Sequence, residues 1–483
     1  MPESKVDIRD WLARAETAMA QNQWLQAREL LTQAAVWLPR VPQVHHHLSR
    51  AQLALGQAQL AVDSASKALA LAPKQWQTQL VKGKALKALR QMEAADTCFD
   101  AAIHLAPDHG EAFVAKADLA MNVFGLPMQA KDLVQPWLGH SAHGVDAELT
   151  TCMASLYDRD MSAVELTQRV VQFSRQHMRL PELHLPTLPQ RQGVSYRPRV
   201  GIISPLFCNS PVYFLTIAGW RHVAKGSDIV VFSRGHKSDW ATDEFRALAK
   251  QWVNVQALPA AALAQRIHAE DLDVLYDLGG WMDPVALKAL SAQPARAMYK
   301  WVGGQSMTTG LDNFDGWIGD EWQSPLALKH LYTEPIVNIP GGYATYTPPP
   351  YLPPAMPWHK RRKEWVVFSN PAKLSRKFLA YLRKLEGKVC FVHRQFQYAR
   401  TQAHVIQALS GSRVTPEFLC PKSHLEALTL LGEFQQMIDT FPYSSGLTAR
   451  EAQAMGLKVT VFTGELFCER HSLRLSAGHT QLR

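Results

Sequence analysis

Near the carboxyl end of the chain, PYSSGLTAREAQAMG (442–456) sets two serines, a glycine, a threonine and a carboxylate in one turn, ahead of a helical run that Gly456 stops. Two chemistries suit that set. The N–H groups at a helix start lack intrahelical acceptors and carry a partial positive charge, so they can receive a phosphate. Gly446 would let the backbone come close, and Ser445 and Thr448 would add hydroxyls. Alternatively, Thr448-x-x-Glu451 is a capping box, in which threonine and glutamate satisfy those N–H groups between themselves. A second turn, FSNPAKLS (368–375), also joins an apolar run to a helix. There Lys373 can meet a phosphate as a point charge, although by itself it reads as a solvated surface lysine. The two turns together point to a nucleotide diphosphate site.

The elements that must hold these turns are legible as an alternation. RVGIISP, DIVVFSRG, LDVLYDLGG, RAMYKWVGG and FDGWIGDE are short apolar runs separated by helical stretches such as PAAALAQRIHAED. After the proline-rich, basic TYTPPPYLPPAMPWHKRRK comes a second set, EWVVFSNPA, KVCFVHRQ, TPEFLCP, QMIDTFP and LKVTVFTG. Each set predicts a parallel sheet with helices on both faces. The predicted boundaries are 197–345 for the first lobe, 346–364 for a linker and 365–483 for the second lobe. Ligands of such sheets bind beyond the carboxyl ends of the strands, which is where both turns fall.

The first third has another rhythm. Pro39, Pro73 and Pro107 recur every 34 residues, each closing a helix-like run, with Ala27, Ala61 and Ala95 and then Ala34, Ala68 and Ala102 at matched positions. Small residues there let antiparallel helices approach, and the prolines end the second helix of each pair. The pattern resembles the tetratricopeptide repeat. It predicts an array over 8–135, whose fourth unit, from Glu111, blurs at FGLPMQA and reads as a cap, and a helical connector over 136–196. Such arrays hold a peptide or partner in their concave face. The run His45-His46-His47 falls on the first helix of the second repeat, where neighbours diverge by about 100°. The three therefore read as groove-lining or surface side chains in preference to a metal site.

With 483 residues, 47% apolar and 19% charged, the chain has the makings of several globular domains. No apolar run reaches the ~18 residues of a membrane span, and MPESKVDIRDWL lacks the basic-then-apolar form of a secretory leader. Six cysteines without CxxC spacing fit reduced thiols in a cytoplasm, and neither a disulfide frame nor a zinc site. The net charge of +9 lies mostly beyond the repeats and suits phosphate-bearing ligands. No Lys/Arg run interleaves with aromatics, which argues against nucleic acid.

VVFSNPAKLS and MIDTFPYSSGLTAREAQAMGLKVTVFTGE in the second lobe, with RVGIISPLFCNSPVYFL, RIHAEDLDVLYDLGGW and QPARAMYKWVGGQSMTTG in the first, resemble the motifs of the O-GlcNAc transferase family and its bacterial relatives. The resemblance covers nearly the whole chain. It implies an α-helical tetratricopeptide repeat array followed by a two-lobed α/β glycosyltransferase of the GT-B type, built of two Rossmann-like halves. It implies that Asn370 and Lys373 face the nucleotide and phosphates of a nucleotide-sugar donor, that Ser445, Gly446 and Thr448 line the diphosphate, and that Glu451 meets the ribose. It sets His424 on the nucleotide side and matches His268 to a first-lobe histidine. Ser210 stands where the family has a histidine near the reacting centre, Leu206 where it has an acidic residue, and the chain stops at Arg483 where relatives continue with further helices. Asp271-Leu-Asp273 looks like a metal-holding DxD, but it precedes the strand VLYDLGG, where two solvated carboxylates simply end a helix. The two-lobed class stabilises its leaving diphosphate with lysine and helix N-termini, so no metal is required.

Two functions stand open. The first is a cytoplasmic protein glycosyltransferase that moves a sugar from a nucleotide-sugar, a UDP-sugar by resemblance, to a side chain of a protein held by the repeats. Bacterial relatives extend that acceptor class to flagellins and other surface proteins. The reacting set would be Lys373, His268 and Ser210, although a serine is a poor general base at neutral pH. The second is an inactive relative that serves as a repeat-based binding scaffold. The missing histidine favours it, and the retained nucleotide-side residues count against it.

Overall fold

The computed structural model describes residues 8–189 and 196–476 and divides into two compact units, through Thr151 and from Cys152 onward. The carboxyl-terminal stop at Arg483 lies outside the described residues. No helix among those residues is long and apolar enough to cross a membrane.

The first unit is a stack of helix pairs: Ile8–Ala20 with Trp24–Trp37, Pro42–Ala54 with Ala58–Leu71, and Trp76–Ala88 with Met92–Leu105. The six periodic alanines are at most 1% exposed, so they are the points of helix contact that their spacing predicts. Each periodic proline stands two residues past a helix end, where the missing N–H costs nothing. Gly83 serves the same close packing, since a Cβ there would fall 2.5 Å from the Phe99 ring. The unit from Glu111 is a fourth pair, Gly110–Leu119 and Pro127–Val134. Its turn is wider: a π-helical stretch Ala120–Phe124 runs into Gly125 at φ 68°, which is why the repeat pattern blurs there. The three histidines diverge as expected, but His45 and His46 are buried, which corrects the surface reading. His45 Nε2 bonds the Pro39 carbonyl at 2.8 Å, His46 Nδ1 bonds Thr78 Oγ1 at 2.8 Å, and His47 Nε2 faces Glu16 at 3.3 Å.

The second unit opens with the end of helix Gly144–Ser155 and with helix Ala163–His177, which begins in a complete capping box between Ser162 and Glu165. Then come the two sheets. The first holds β1 (Arg199–Ser204), β2 (Asp228–Ser233), β3 (Ala249–Asn254), β4 (Val274–Asp277), β5 (Ala297–Lys300), β6 (Gly316–Gly319) and β7 (Ile336–Asn338). All pairs are parallel, in the order β3-β2-β1-β4-β5-β6-β7. The second holds β8 (Arg362–Phe368), β9 (Gly387–Val392), β10 (Val414–Leu419), β11 (Phe434–Ile438) and β12 (Lys458–Thr460), again parallel, in the order β10-β9-β8-β11-β12. Every apolar run quoted above is a strand. β3 and β7 are added by the structure: both lie at sheet edges, half-buried, without a continuous apolar run to betray them.

The segment between the sheets is no free tether. Tyr346 packs into the core of the first lobe, the Thr347 N–H donates to the Phe214 carbonyl at 2.7 Å, and Leu352 and Ala355 pack on the core of the second lobe. β8 begins at Arg362, inside the stretch that composition assigns to the linker. Its first three residues, Arg362, Lys363 and Glu364, are charged and its apolar run begins only at Trp365, so composition places its start too late.

Candidate active site

In the second sheet the strand order reverses between β8 and β11, which are neighbours. The loops leaving two such strands must diverge to opposite faces and so leave a crevice. β8 delivers Asn370 and Lys373 there, and β11 delivers the turn 444–448.

Lys373 is not solvated. It is half-buried, its Nζ donates to the Ser444 carbonyl at 2.9 Å, and it sits over the Tyr443 ring at 4.5 Å. Burial pulls its ammonium down to about 8 against the opposing pull of Asp439. Asp439, fully buried at the end of β11, shapes the turn: its carboxylate accepts the Ser445 N–H at 3.0 Å, the Thr440 N–H at 2.8 Å and the Ser472 hydroxyl at 2.5 Å. Burial raises its carboxyl above the ordinary value, and those donors oppose the rise. Asn370 spends its side-chain oxygen on the Ala372 N–H (2.9 Å), closing the short turn that aims Lys373.

The capping-box reading is overturned. The helix is Leu447–Ala454, its N-cap is Gly446, and no side chain caps it. Thr448 is already inside the helix, so it cannot occupy the cap position, and Glu451 turns elsewhere. Gly446 adopts φ −83°, and a Cβ there would meet nothing nearer than His471 at 3.8 Å, so the backbone does not demand glycine. Its smallness keeps the turn open towards the cleft. Ser445 is fully buried beneath the turn, its backbone N–H held by Asp439.

Lys373, Gly446 and Thr448 line a cleft of about 260 Å³ together with first-lobe residues. The facing wall is apolar, with Leu206, Pro211, Val212 and Leu215 after β1 and Met282 after β4. Beside it lies a loop of Gly303 and Gly304 at φ 50° and 57°. A Cβ on either would fall 2.0 Å from a carbonyl oxygen of the β4 loop, so two backbones touch where only glycine fits. Lys300 is the peg beneath them: fully buried, its Nζ donates to the carbonyls of Asp277 (2.9 Å), Val302 (2.8 Å) and Gly303 (2.6 Å), and it lies 3.5 Å from the Asp277 carboxylate. That carboxylate in turn accepts the N–H groups of Gly279 (2.8 Å) and Gly280 (3.0 Å). The sequence gives no cue to this pair, because a lysine inside an apolar strand looks like an outward-facing one. Tyr443 ties the cleft across the lobes, its hydroxyl 2.9 Å from Ser306 Oγ and its ring stacked on Tyr157 at 4.9 Å.

Four expected residues, Ser210, His268, His424 and Glu451, are not among the residues that line the cleft. Ser210 is buried and donates its hydroxyl to the Leu206 carbonyl at 2.8 Å, so its proton is already committed. His268 ends the helix Ala260–His268 that precedes β4. In a parallel sheet that end lies at the amino edge of the strands, opposite the cleft, which removes it from the reacting set. Glu451 is 1% exposed and receives His424 Nε2 at 2.7 Å. His424 Nδ1 meets the Tyr351 hydroxyl at 2.9 Å, and that oxygen takes Asn209 Nδ2 at 2.7 Å. The bonds run one way, from first-lobe amide through the linker phenol and the imidazole to the second-lobe carboxylate. A ribose hydroxyl would compete with His424 for Glu451 Oε1. The carboxylates of the DxD look-alike are both paired: Asp271, still partly exposed, with Arg296 at 2.6 Å, and Asp273 with the Arg199 N–H at 2.7 Å.

Two parallel-sheet lobes facing a cleft, preceded by helical repeats, define a tetratricopeptide-repeat protein with the GT-B glycosyltransferase fold. The particular kinship follows from likeness. The Tetratricopeptide repeat family matches residues 77–109. The O-GlcNAc transferase of Thermobaculum terrenum, solved as a point mutant, superposes with a TM-score of 0.61 at 23% identity, over 97% of this chain and 85% of that one. "Probable UDP-N-acetylglucosamine--peptide N-acetylglucosaminyltransferase SPINDLY" of Eustoma exaltatum subsp. russellianum is 24% identical over 274 residues, 52% of this chain and 29% of that protein. The similarly described SEC of Arabidopsis thaliana is 27% identical over 168 residues, 34% of this chain and 17% of its own. The chain thus spans less than a third of the length of either curated relative. These likenesses support the O-GlcNAc transferase family, as the motifs imply.

Proposed function

We propose that the cleft binds the nucleoside diphosphate of a nucleotide-sugar, a UDP-sugar by kinship, and that the chain transfers the sugar to a side chain of a protein held by its repeats in the cytoplasm. The observation that carries this reading is the convergence of Lys373, Gly446 and Thr448 on one cleft at the reversal of strand order. An ammonium and an uncapped helix start supply positive charge where a departing diphosphate gathers negative charge, and both are in place before the reaction begins. No metal is needed for that step. Calorimetry of the full chain with uridine and cytidine nucleotides tests it: one nucleoside diphosphate should bind far more tightly than its nucleoside, and binding of none would overturn the reading.

One observation favours a second reading, in which the nucleotide is bound and no sugar moves. The first-lobe wall offers no base, with Ser210 committed to a carbonyl and His268 at the far edge. Donor turnover with a protein acceptor separates the two readings.

The cleft lysine also sets a pH dependence. Below about 8 Lys373 is charged in the unliganded protein. Nucleoside diphosphate affinity should fall by up to about tenfold per pH unit above that value. The stability effect has the opposite sense: the folded state holds this proton less tightly than the unfolded chain, whose lysine keeps its ordinary value of 10.5. Stability should therefore rise as pH passes from about 8 towards 10.5, before other lysines intervene. Calorimetry and denaturant unfolding at pH 7 and 9 read the two signs.

A further inference from the structure

His471 lies beyond β12, in a segment that sequence reasoning passes over. Its backbone N–H donates to Ser444 Oγ at 2.8 Å, the same residue whose carbonyl receives Lys373, so turn, lysine and histidine form one cluster. The ring lines the cleft and packs against Phe467 at 5.5 Å and Tyr443 at 5.9 Å.

Its tautomer can be read from the neighbours. Gln323, 2% exposed, donates Nε2 to the Phe467 carbonyl at 2.6 Å and reaches His471 Nδ1 with the same nitrogen at 3.0 Å. A carbonyl only accepts, so the amide must present its NH2 end, and the second hydrogen then points at Nδ1. That nitrogen is therefore a bare acceptor, and the neutral ring carries its proton on Nε2. Burial, with the charges of Lys373 and Arg450, pulls the imidazole down to about 3, so it does not take a second proton. Among the described residues Nε2 has no protein partner.

We propose that His471 is a further diphosphate contact: a neutral imidazole whose Nε2–H donates to the nucleotide's phosphate oxygens beside Lys373, held in that tautomer by Gln323. This rests on the nucleotide reading of the cleft. It also says what His471 is not: with its proton facing the cleft and its lone pair turned to Gln323, it does not replace the missing base. A positioned neutral donor suits a site that already has one ammonium, because a second buried cation would add its own desolvation cost.

Two measurements on the full chain test it. Nitrogen-15 spectra of the histidine rings, with the His471 signal identified by its loss in His471→Phe, should show the Nε2–H tautomer; the Nδ1–H pattern overturns the proposal. In calorimetry, His471→Phe, which keeps a ring against Phe467, and His471→Ala should each weaken uridine diphosphate binding about tenfold, the scale of one hydrogen bond to a charged group. Uridine affinity should not change. Unchanged diphosphate affinity in folded variants overturns the proposal and spares the nucleotide site. A parent chain that binds no nucleoside diphosphate overturns both.

Discussion

Lys373→Ala should weaken nucleoside diphosphate binding by about 1.5–3 kcal/mol, the range for a charge-assisted hydrogen bond. The effect should be confined to ligands that carry phosphate, since among the described residues lining the cleft Lys373 alone is a lysine or arginine. Unlike an exposed lysine, Lys373 also supports its surroundings through the Ser444 carbonyl and the Tyr443 ring, so the variant should melt lower than its parent. Lys373→Met keeps much of the stem over Tyr443 and should recover part of that stability with none of the affinity. Calorimetry and thermal melting on the same samples separate the two contributions. Equal diphosphate affinity in parent and variants would remove Lys373 from the site.

Lys300→Ala should cost about 3–5 kcal/mol of stability, the scale for breaking a buried ion pair by removing one partner. The Val302 and Gly303 carbonyls lose their donor at once, the Asp277 carbonyl is left with the Trp301 N–H alone, and the buried Asp277 carboxylate loses its cation. The loss should be local in origin, because the same lysine holds the glycine loop against the β4 loop. Denaturant unfolding measures it. A loss below about 1 kcal/mol would mean that water or a rearranged loop satisfies the carbonyls, and that the pair is not a structural peg.

Much of the fold is legible before the structure. The 34-residue period locates the alanines that the helices bury, and ten apolar runs mark ten of the strands. The reason is physical: repeat packing and buried parallel strands each impose a local rule that the sequence must obey at every step. The site is legible in part. The turn and Lys373 could be found because strand-to-helix junctions carry their own chemistry. What escaped depends on partners remote in sequence. Thr448 and Glu451 have the spacing of a capping box, yet Asp439, six residues before Ser445, organises the turn, and His424 takes the glutamate. His268 has the right residue type on the wrong end of its helix. His471 and Lys300 become conspicuous only when the carbonyls around them are counted.

The chain of bonds from Asn209 through Tyr351 and His424 to Glu451 has a kinetic consequence. Asn209 belongs to the first lobe, His424 and Glu451 to the second, and Tyr351 between them to the segment that connects the lobes covalently. The segment is therefore a latch as well as a hinge: Tyr351 is bonded to both lobes, so they cannot swing apart about it without breaking its bond to Asn209 or its bond to His424. Opening becomes a discrete event instead of a gradual drift. On the proposed reading of the cleft, the waiting time for that event bounds how quickly a spent nucleotide escapes, so residence time is governed in part by bonds that need not touch the nucleotide at all.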